Sequence, residues 1–316
     1  MSFSPRIVTL TLNPALDKNT SVESIVPDKK LRCQQPETAP GGGGVNVSRA
    51  LHTLGVPSLA VYLAGGFTGS YFTQLLLQEG VETLPLPVKN ELRENLIVVD
   101  RSSRQQYRFG MEGAAVTEPE WQQCLDALEK ENFDILAASG SLPPGIPDNF
   151  YRLLAELVKR KNAKLVIDTS GAALKEALEE GVYLIKPNLN ELSSIYGKEE
   201  LSRADAENAC REIIARGLCE VIVVSMGADG ALLAKGNEVY FSDAPKAEKK
   251  STVGAGDSMV AGMLAGIAKN YDWQTILRSG VAAGTAATMS EGTRLCQLKD
   301  YEMLFAGLNQ AGTGPA

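Results

Sequence analysis

Short apolar runs recur along the chain, and most are followed by a longer stretch whose apolar residues fall three and four positions apart. The runs predict buried strands at Ile7–Leu12, Leu59–Leu63, Ile135–Ser139, Lys164–Ile167, Tyr183–Lys186 and Val221–Ser225. The longer stretches predict helices at Asn46–Leu54, Phe72–Glu79, Asn149–Lys161 and Glu207–Arg216, with two more, rich in small residues, at Ser258–Ala268 and Gly280–Met289. Strand then helix, repeated, is the signature of βαβ units. The expected fold is therefore α/β: one doubly wound, mostly parallel sheet with helices on both faces, over residues 1–316. Ligands of such folds collect at the carboxyl ends of the strands. Asn13-Pro14-Ala15-Leu16-Asp17, Ser139-Gly140-Ser141, Asp168, Lys186-Pro187-Asn188 and Ser225-Met226-Gly227 all lie at or just after such an end.

Two segments break the alternation. Lys18–Pro40 and Arg93–Phe109 read as short extended pieces separated by turn signals such as Pro27-Asp28 and Ser102-Ser103. They predict a small separate sheet, about residues 18–40 and 91–110, acting as a β lid over the cleft. Such a sheet cannot bury both of its faces, so its apolar side, with Val22, Ile25, Leu96, Val98 and Phe109 as candidates, is expected to pair with a second subunit in a homodimer.

With 44% hydrophobic residues in 316, the chain can bury a large core, and a formal net charge of −7 argues against non-specific nucleic-acid binding. Cys33, Cys124, Cys210, Cys219 and Cys296 form no Cys-x-x-Cys pair, so neither a zinc site nor a disulfide framework is indicated. No run is long enough for a membrane span and the N-terminus lacks a signal-peptide pattern, so a cytoplasmic location is expected. The tail from Ala311 to Ala316 reads as disordered. His52, the single histidine, is expected to be structural.

The chemistry concentrates at Ser251-Thr252-Val253-Gly254-Ala255-Gly256-Asp257. Small residues opening a helix let backbone N–H groups converge on an anion. A carboxylate beside that anion is repelled by it unless it takes a proton from an attacking hydroxyl. Asp257 as base and Gly254, Ala255 and Gly256 as phosphate cradle therefore point to phosphoryl transfer to an alcohol. Asp17 suits two neighbouring sugar hydroxyls, and Gly41–Gly44 followed by Asn46 offers close backbone approach, at Gly42 and Gly43, with an amide beside it.

Taken together and in order, these motifs with Ser139-Gly140-Ser141-Leu142-Pro143-Pro144-Gly145, Lys186-Pro187-Asn188-Leu189-Asn190-Glu191 and Thr252–Asp257 resemble the ribokinase-like PfkB family of carbohydrate kinases over nearly the whole chain. The resemblance implies that Asp257 deprotonates the sugar hydroxyl attacking the γ-phosphoryl group of ATP. It implies Lys30, Arg32, Arg93 and Ser141 at the phosphate or hydroxyls of the sugar, with Asp17, Gly42, Gly43 and Asn46. It implies Lys186, Asn188, Ser225, Gly227, Gly230, Thr252, Gly254 and Thr285 at the nucleotide, whose adenine lies along Gly280–Met289. Mg²⁺ is expected near Glu191 and Asn188, largely through water. Potassium activation is expected from a site at Ser251, Val253, Ala287, Ser290, Gly292 and Arg294.

Within the family, Lys30-Leu31-Arg32, the uninterrupted glycine run, Gln106-Tyr107-Arg108-Phe109 and Gly292-Thr293-Arg294-Leu295-Cys296 resemble the minor bacterial type of 6-phosphofructokinase. That branch implies phosphorylation of fructose 6-phosphate at its 1-hydroxyl. Asn13–Asp17 is equally at home in 1-phosphofructokinases and tagatose-6-phosphate kinases, which stand as alternatives. A sugar-phosphate sensor without turnover is the alternative of another class, and the intact base and metal organiser weigh against it.

Overall fold

A computed structural model describes residues 5–198 and 201–311. In chain order the strands are β1 (Ile7–Thr11), β2 (Ala15–Val22), β3 (Glu37–Gly41), β4 (Ser58–Gly65), β5 (Glu82–Val88), β6 (Arg93–Asp100), β7 (Gln106–Phe109), β8 (Ile135–Ser139), β9 (Lys164–Asp168), β10 (Val182–Ile185), β11 (Cys219–Ser225), β12 (Ala231–Lys235) and β13 (Glu238–Ser242). The helices are α1 (Gly43–Thr53), α2 (Gly66–Gln78), α3 (Glu118–Lys130), α4 (Phe150–Arg160), α5 (Gly171–Glu179), α6 (Leu189–Tyr196), α7 (Arg203–Ala215), α8 (Ala255–Ala268), α9 (Trp273–Thr288) and α10 (Leu298–Ala311).

β1, β8 and β10 are buried at every position. Strands apolar on both faces need helices on both sides, and they lie inside a nine-stranded sheet of order β13-β12-β11-β10-β9-β8-β1-β4-β5. It is parallel from β11 through β5, with β12 and β13 antiparallel at one edge. One core, with Trp121, Phe150, Leu154 and Ile213, lies under α3 to α7. A second, with Leu51, Leu264, Leu277 and Ala286, lies under α1, α8, α9 and α10, and a third, with Leu16, Tyr62 and Phe72, lies under α2. No helix among the described residues is long and apolar enough to cross a membrane.

The predicted strands and helices are all present, but several boundaries move. α1, α2 and α8 begin earlier than periodicity suggests, because glycines in their first turns (Gly43 and Gly44, Gly66 and Gly69, Gly256) break the apolar spacing there. β5, absent from the expected strands, carries Pro85 and Pro87; it is the edge strand, where a missing N–H is tolerated. The β12–β13 hairpin was also missed, although Gly236-Asn237, with Gly236 at φ +56°, is a hairpin turn signal. Ala311 closes α10, and the rest of the expected disordered tail lies outside the described residues.

The lid is a separate four-stranded sheet of order β3-β2-β6-β7. It starts at Ala15 rather than Lys18, and residues 23–36 of the anticipated lid form a loop without strands. Alternation assigns its two faces through the register. Asp17 pairs with Asn95, Asn19 with Ile97, and Ile97 with Arg108, so these share one face; Leu96, Val98, Tyr107 and Phe109 lie on the other. Leu96, Tyr107 and Phe109 are exposed, at 36%, 37% and 49%, whereas Val22 and Val98 are buried within the chain. All five cysteines are unpaired; Cys33, in the 23–36 loop, is exposed and the other four are buried.

Candidate active site

The polar face of the lid and the carboxyl ends of the main strands meet at the start of α8. Gly254 caps that helix in the left-handed region at φ +70°, which favours glycine, and a Cβ there would also press on the tip of the Leu295 side chain. The turn aims the first amides of a fourteen-residue helix into the cleft. A Cβ on Gly256 would come within 3.4 Å of Lys186 Nζ, so this glycine keeps open the space in front of the ammonium.

Asp257 lies in the first turn of α8, and Asn46 Nδ2 donates to its Oδ2 at 2.9 Å. Burial, with the nearby Asp168 carboxylate opposed by the Asn46 hydrogen bond, pushes its pKa up to about 6. A base poised there is mostly ionised at neutral pH yet still accepts a proton readily. Lys186 forms a buried ion pair with Asp168 at 3.1 Å. Burial disfavours its charge, but Asp168, with Asp257 and Glu191 behind it, outweighs burial and holds the ammonium above its ordinary pKa.

Across the cleft, Asn95 Nδ2 donates to Asp17 Oδ1 at 2.9 Å. Burial raises the Asp17 pKa, against the Asn95 hydrogen bond and the Arg93 and Arg49 charges. Asp17 follows β1 and the Asn13-Pro14 pair, as expected, and is itself part of β2, facing the cleft. Arg93 donates to the Met111 and Asn13 carbonyls at 2.8 and 2.9 Å, and Asn13 Nδ2 donates to Ser141 Oγ at 3.1 Å, which brings Arg93 and Ser141 to one end of the cleft. Lys30 and Arg32 are not brought in: they are exposed on the 23–36 loop, and their side chains make no hydrogen bond or ion pair among the described residues.

The glycine run has a use before any sugar arrives. Gly42 has φ +114°, and a Cβ on Gly43 would collide with Ser139, so the run lets α1 start against β1 and β8. Asn46 is thereby carried to Asp257. His52 is exposed in the last turn of α1 and takes no part in the site.

Beside the α8 start, a cleft of about 470 Å³ is lined by Ser225, Gly227, Gly230, Thr252 and Thr285, and by Val281, Gly284 and Thr288 along α9. Lys246 and Lys249 border it as well, and no motif had singled them out. The Asn188 and Ser225 backbones join in a parallel bridge, which sets the Lys186–Asn188 turn next to this cleft. Asn188 and Glu191 form a reciprocal capping box on α6: Asn188 N–H donates to Glu191 Oε2 at 2.8 Å, and Glu191 N–H to Asn188 Oδ1 at 2.9 Å. That leaves Glu191 Oε1 without a protein partner among the described residues, which fits a hydrated Mg²⁺ better than direct chelation. No group of three or more His, Cys, Asp or Glu able to hold a metal occurs among the described residues.

The loops expected to hold potassium are adjacent. Ser251 Oγ donates to the Gly292 carbonyl at 2.8 Å, Ser290 N–H to the Ala287 carbonyl at 3.1 Å, and Val253 N–H to Ser251 Oγ at 3.2 Å. Arg294 instead turns its guanidinium toward Glu37 on the lid, 3.5 Å away. Asp168, Asn95 and Arg108 are the site residues sequence reasoning left unassigned. Asp168 stood at a strand end, which was a usable signal; Asn95 and Arg108 depend on strand register, which was not legible.

The pfkB family carbohydrate kinase model matches residues 12–300, and the chain belongs to this family. It is 41% identical over 307 residues, 96% of this chain and 99% of the relative, to the ATP-dependent 6-phosphofructokinase isozyme 2 of Escherichia coli strain K12. It is 36% identical over 286 residues, covering 90% and 93%, to the 1-phosphofructokinase of Bacillus subtilis. The crystal structure of E. coli phosphofructokinase-2 in complex with potassium superposes with a TM-score of 0.93 at 40% identity, covering 96% of this chain and 99% of that one.

Proposed function

We propose that the chain is an ATP-dependent 6-phosphofructokinase, moving the γ-phosphoryl group of ATP to the 1-hydroxyl of fructose 6-phosphate. The observation that carries this is the convergence of Asp257, held by Asn46, with the glycine-opened start of α8 on one side and the Asp17–Asn95 pair on the other. Asp17 accepts hydrogen bonds from sugar hydroxyls, and the Arg93–Asn13–Ser141 corner receives the phosphate the sugar already carries. The attacking hydroxyl oxygen forms a bond to Pγ, the bond from Pγ to the bridging oxygen breaks to release ADP, and the hydroxyl proton goes to Asp257. Amides at Gly254–Gly256 stabilise charge on the transferred group.

Glu191 and Asn188 would orient the water shell of Mg²⁺, which neutralises phosphate charge when bound. The carbonyls around Ser251, Val253, Ala287, Ser290 and Gly292 would take K⁺ and so stiffen the loop leading to Gly254; Arg294 is left to the lid. The exposed apolar face of the lid supports a homodimer, with Lys30 and Arg32 reaching a sugar phosphate once the subunits join.

The test is ADP release with magnesium-ATP over fructose 6-phosphate, fructose 1-phosphate, tagatose 6-phosphate and ribose. The expected result is the highest kcat/KM on fructose 6-phosphate. A preference for fructose 1-phosphate would move the chain to the other branch of its relatives, and sugar-phosphate binding without ADP release would make it a sensor.

A further inference from the structure

Arg108 is a lid residue with an unusual set of partners. Strand register puts it on the cleft-facing side of β7, opposite Ile97 and in line with Asn19. Its Nη2 spans from the lid to the loop before α8 and donates to Thr252 Oγ1 at 2.9 Å. Nε and Nη2 also donate to Gln106 Oε1, at 3.2 and 3.0 Å, which fixes the plane of the guanidinium. It makes no ion pair among the described residues. A neutral hydroxyl and an amide oxygen are weak counterparts for a permanent cation that a phosphate would satisfy through paired, charge-assisted hydrogen bonds.

We propose that Arg108 is a catalytic residue that binds the terminal phosphate of the nucleotide as the lid closes. Position along the lid selects that phosphate over the one on the sugar. Thr252 lines the nucleotide cleft and lies two residues before Gly254. Arg93, at the sugar-phosphate corner, is paired with Ala15, whereas Arg108 is level with Ile97. Four residues along β6 separate the two cations by about 13 Å. The charge balance points the same way. Asp17, Asp168 and Asp257 face the reacting region and the Lys186 ammonium is paired with Asp168, while Arg93 serves the sugar end and Lys246 and Lys249 border the nucleotide cleft, so the point of transfer between the two anionic substrates is where a further cation is wanted. Arg108 supplies a cation from the opposite wall, on the side of the transferred group away from Lys186. This assignment rests on the kinase reading above.

The test compares wild type, Arg108→Ala, Arg108→Lys and Thr252→Val. Calorimetry measures the affinity of each for ADP, for a non-hydrolysable ATP analogue and for fructose 6-phosphate, and steady-state assays give kcat. Arg108 is exposed on a short edge strand, so the alanine variant is expected to fold; thermal melting checks this. The expected result for Arg108→Ala is a kcat loss of about 10²-fold. Analogue affinity falls about tenfold, while ADP and sugar-phosphate affinities stay near wild type. Arg108→Lys recovers part of both losses, and Thr252→Val keeps the preference for the analogue over ADP. Equal weakening of ADP and analogue in Arg108→Ala would overturn the assignment, because it makes Arg108 only a strut for the loop. Failure of the kinase reading shows separately, as a wild type inactive on every sugar phosphate.

Discussion

The two walls of the cleft are built on opposite plans. On the main-sheet wall the reacting groups are set at strand ends and a helix start, backed by two cores, and each is held by a partner: Asn46 on Asp257, Asp168 on Lys186. The lid wall is a single layer. It places Asp17, Asn95 and Arg108 on one face and leaves Leu96, Tyr107 and Phe109 exposed on the other. The base and the phosphate cradle sit on the rigid side, and groups that meet the incoming substrates, Arg108 among them, sit on a layer with little core of its own.

The contrast breaks most visibly at Asp257. Asp257→Asn is expected to lower kcat by ~10²–10⁴ while sugar-phosphate affinity holds, since shape and the Asn46 contact survive. The same variant should gain stability at neutral pH. The folded-state pKa of about 6 lies above the ordinary 3.8, so folding favours the protonated form. That stabilisation is complete below about 3.8 and lost as pH rises through about 6, leaving an enclosed charge that costs roughly 3 kcal/mol at the upper limit. Melting temperatures of variant and wild type should coincide near pH 4 and separate by pH 7, and wild-type kcat/KM should climb through pH 6. A flat pH–rate profile together with unchanged melting would remove Asp257 as the base.

Gly256→Val probes the same wall without touching a charge. The new side chain enters the space before Lys186, so nucleotide affinity should drop tenfold or more in calorimetry, with sugar-phosphate affinity unaffected. Asp17→Asn is the lid-side counterpart: KM for the sugar phosphate should rise about tenfold, with nucleotide affinity constant. If either variant weakened both substrates alike, the division of labour between the walls would fail. The smallest effect on folding is expected from Phe109→Glu. Its exposed position leaves chain stability nearly unchanged, while light scattering should show dissociation to monomers with weaker sugar-phosphate binding. Val98, an attractive position for the same charge from sequence, is the wrong probe, because its burial within the chain would confound dissociation with unfolding.

Legibility in the sequence followed the same divide. Apolar runs marked the central strands, and small residues before a helix marked the anion site, because burial and backbone approach restrict which side chains fit. The lid was legible as extended and partly apolar, but not in its register, so Asn95 and Arg108 could not be matched to Asp17 and Thr252. Lys30 and Arg32 show the converse. A family pattern assigned them a phosphate, whereas a single chain leaves them on an exposed loop.

That loop has a practical consequence. Cys33, the one exposed thiol of the five, sits between β2 and β3, so a maleimide dye would attach to the lid and leave the four enclosed cysteines unlabelled. The native chain thus carries its own reporter position: emission from one dye can follow ligand arrival in real time, with no residue altered.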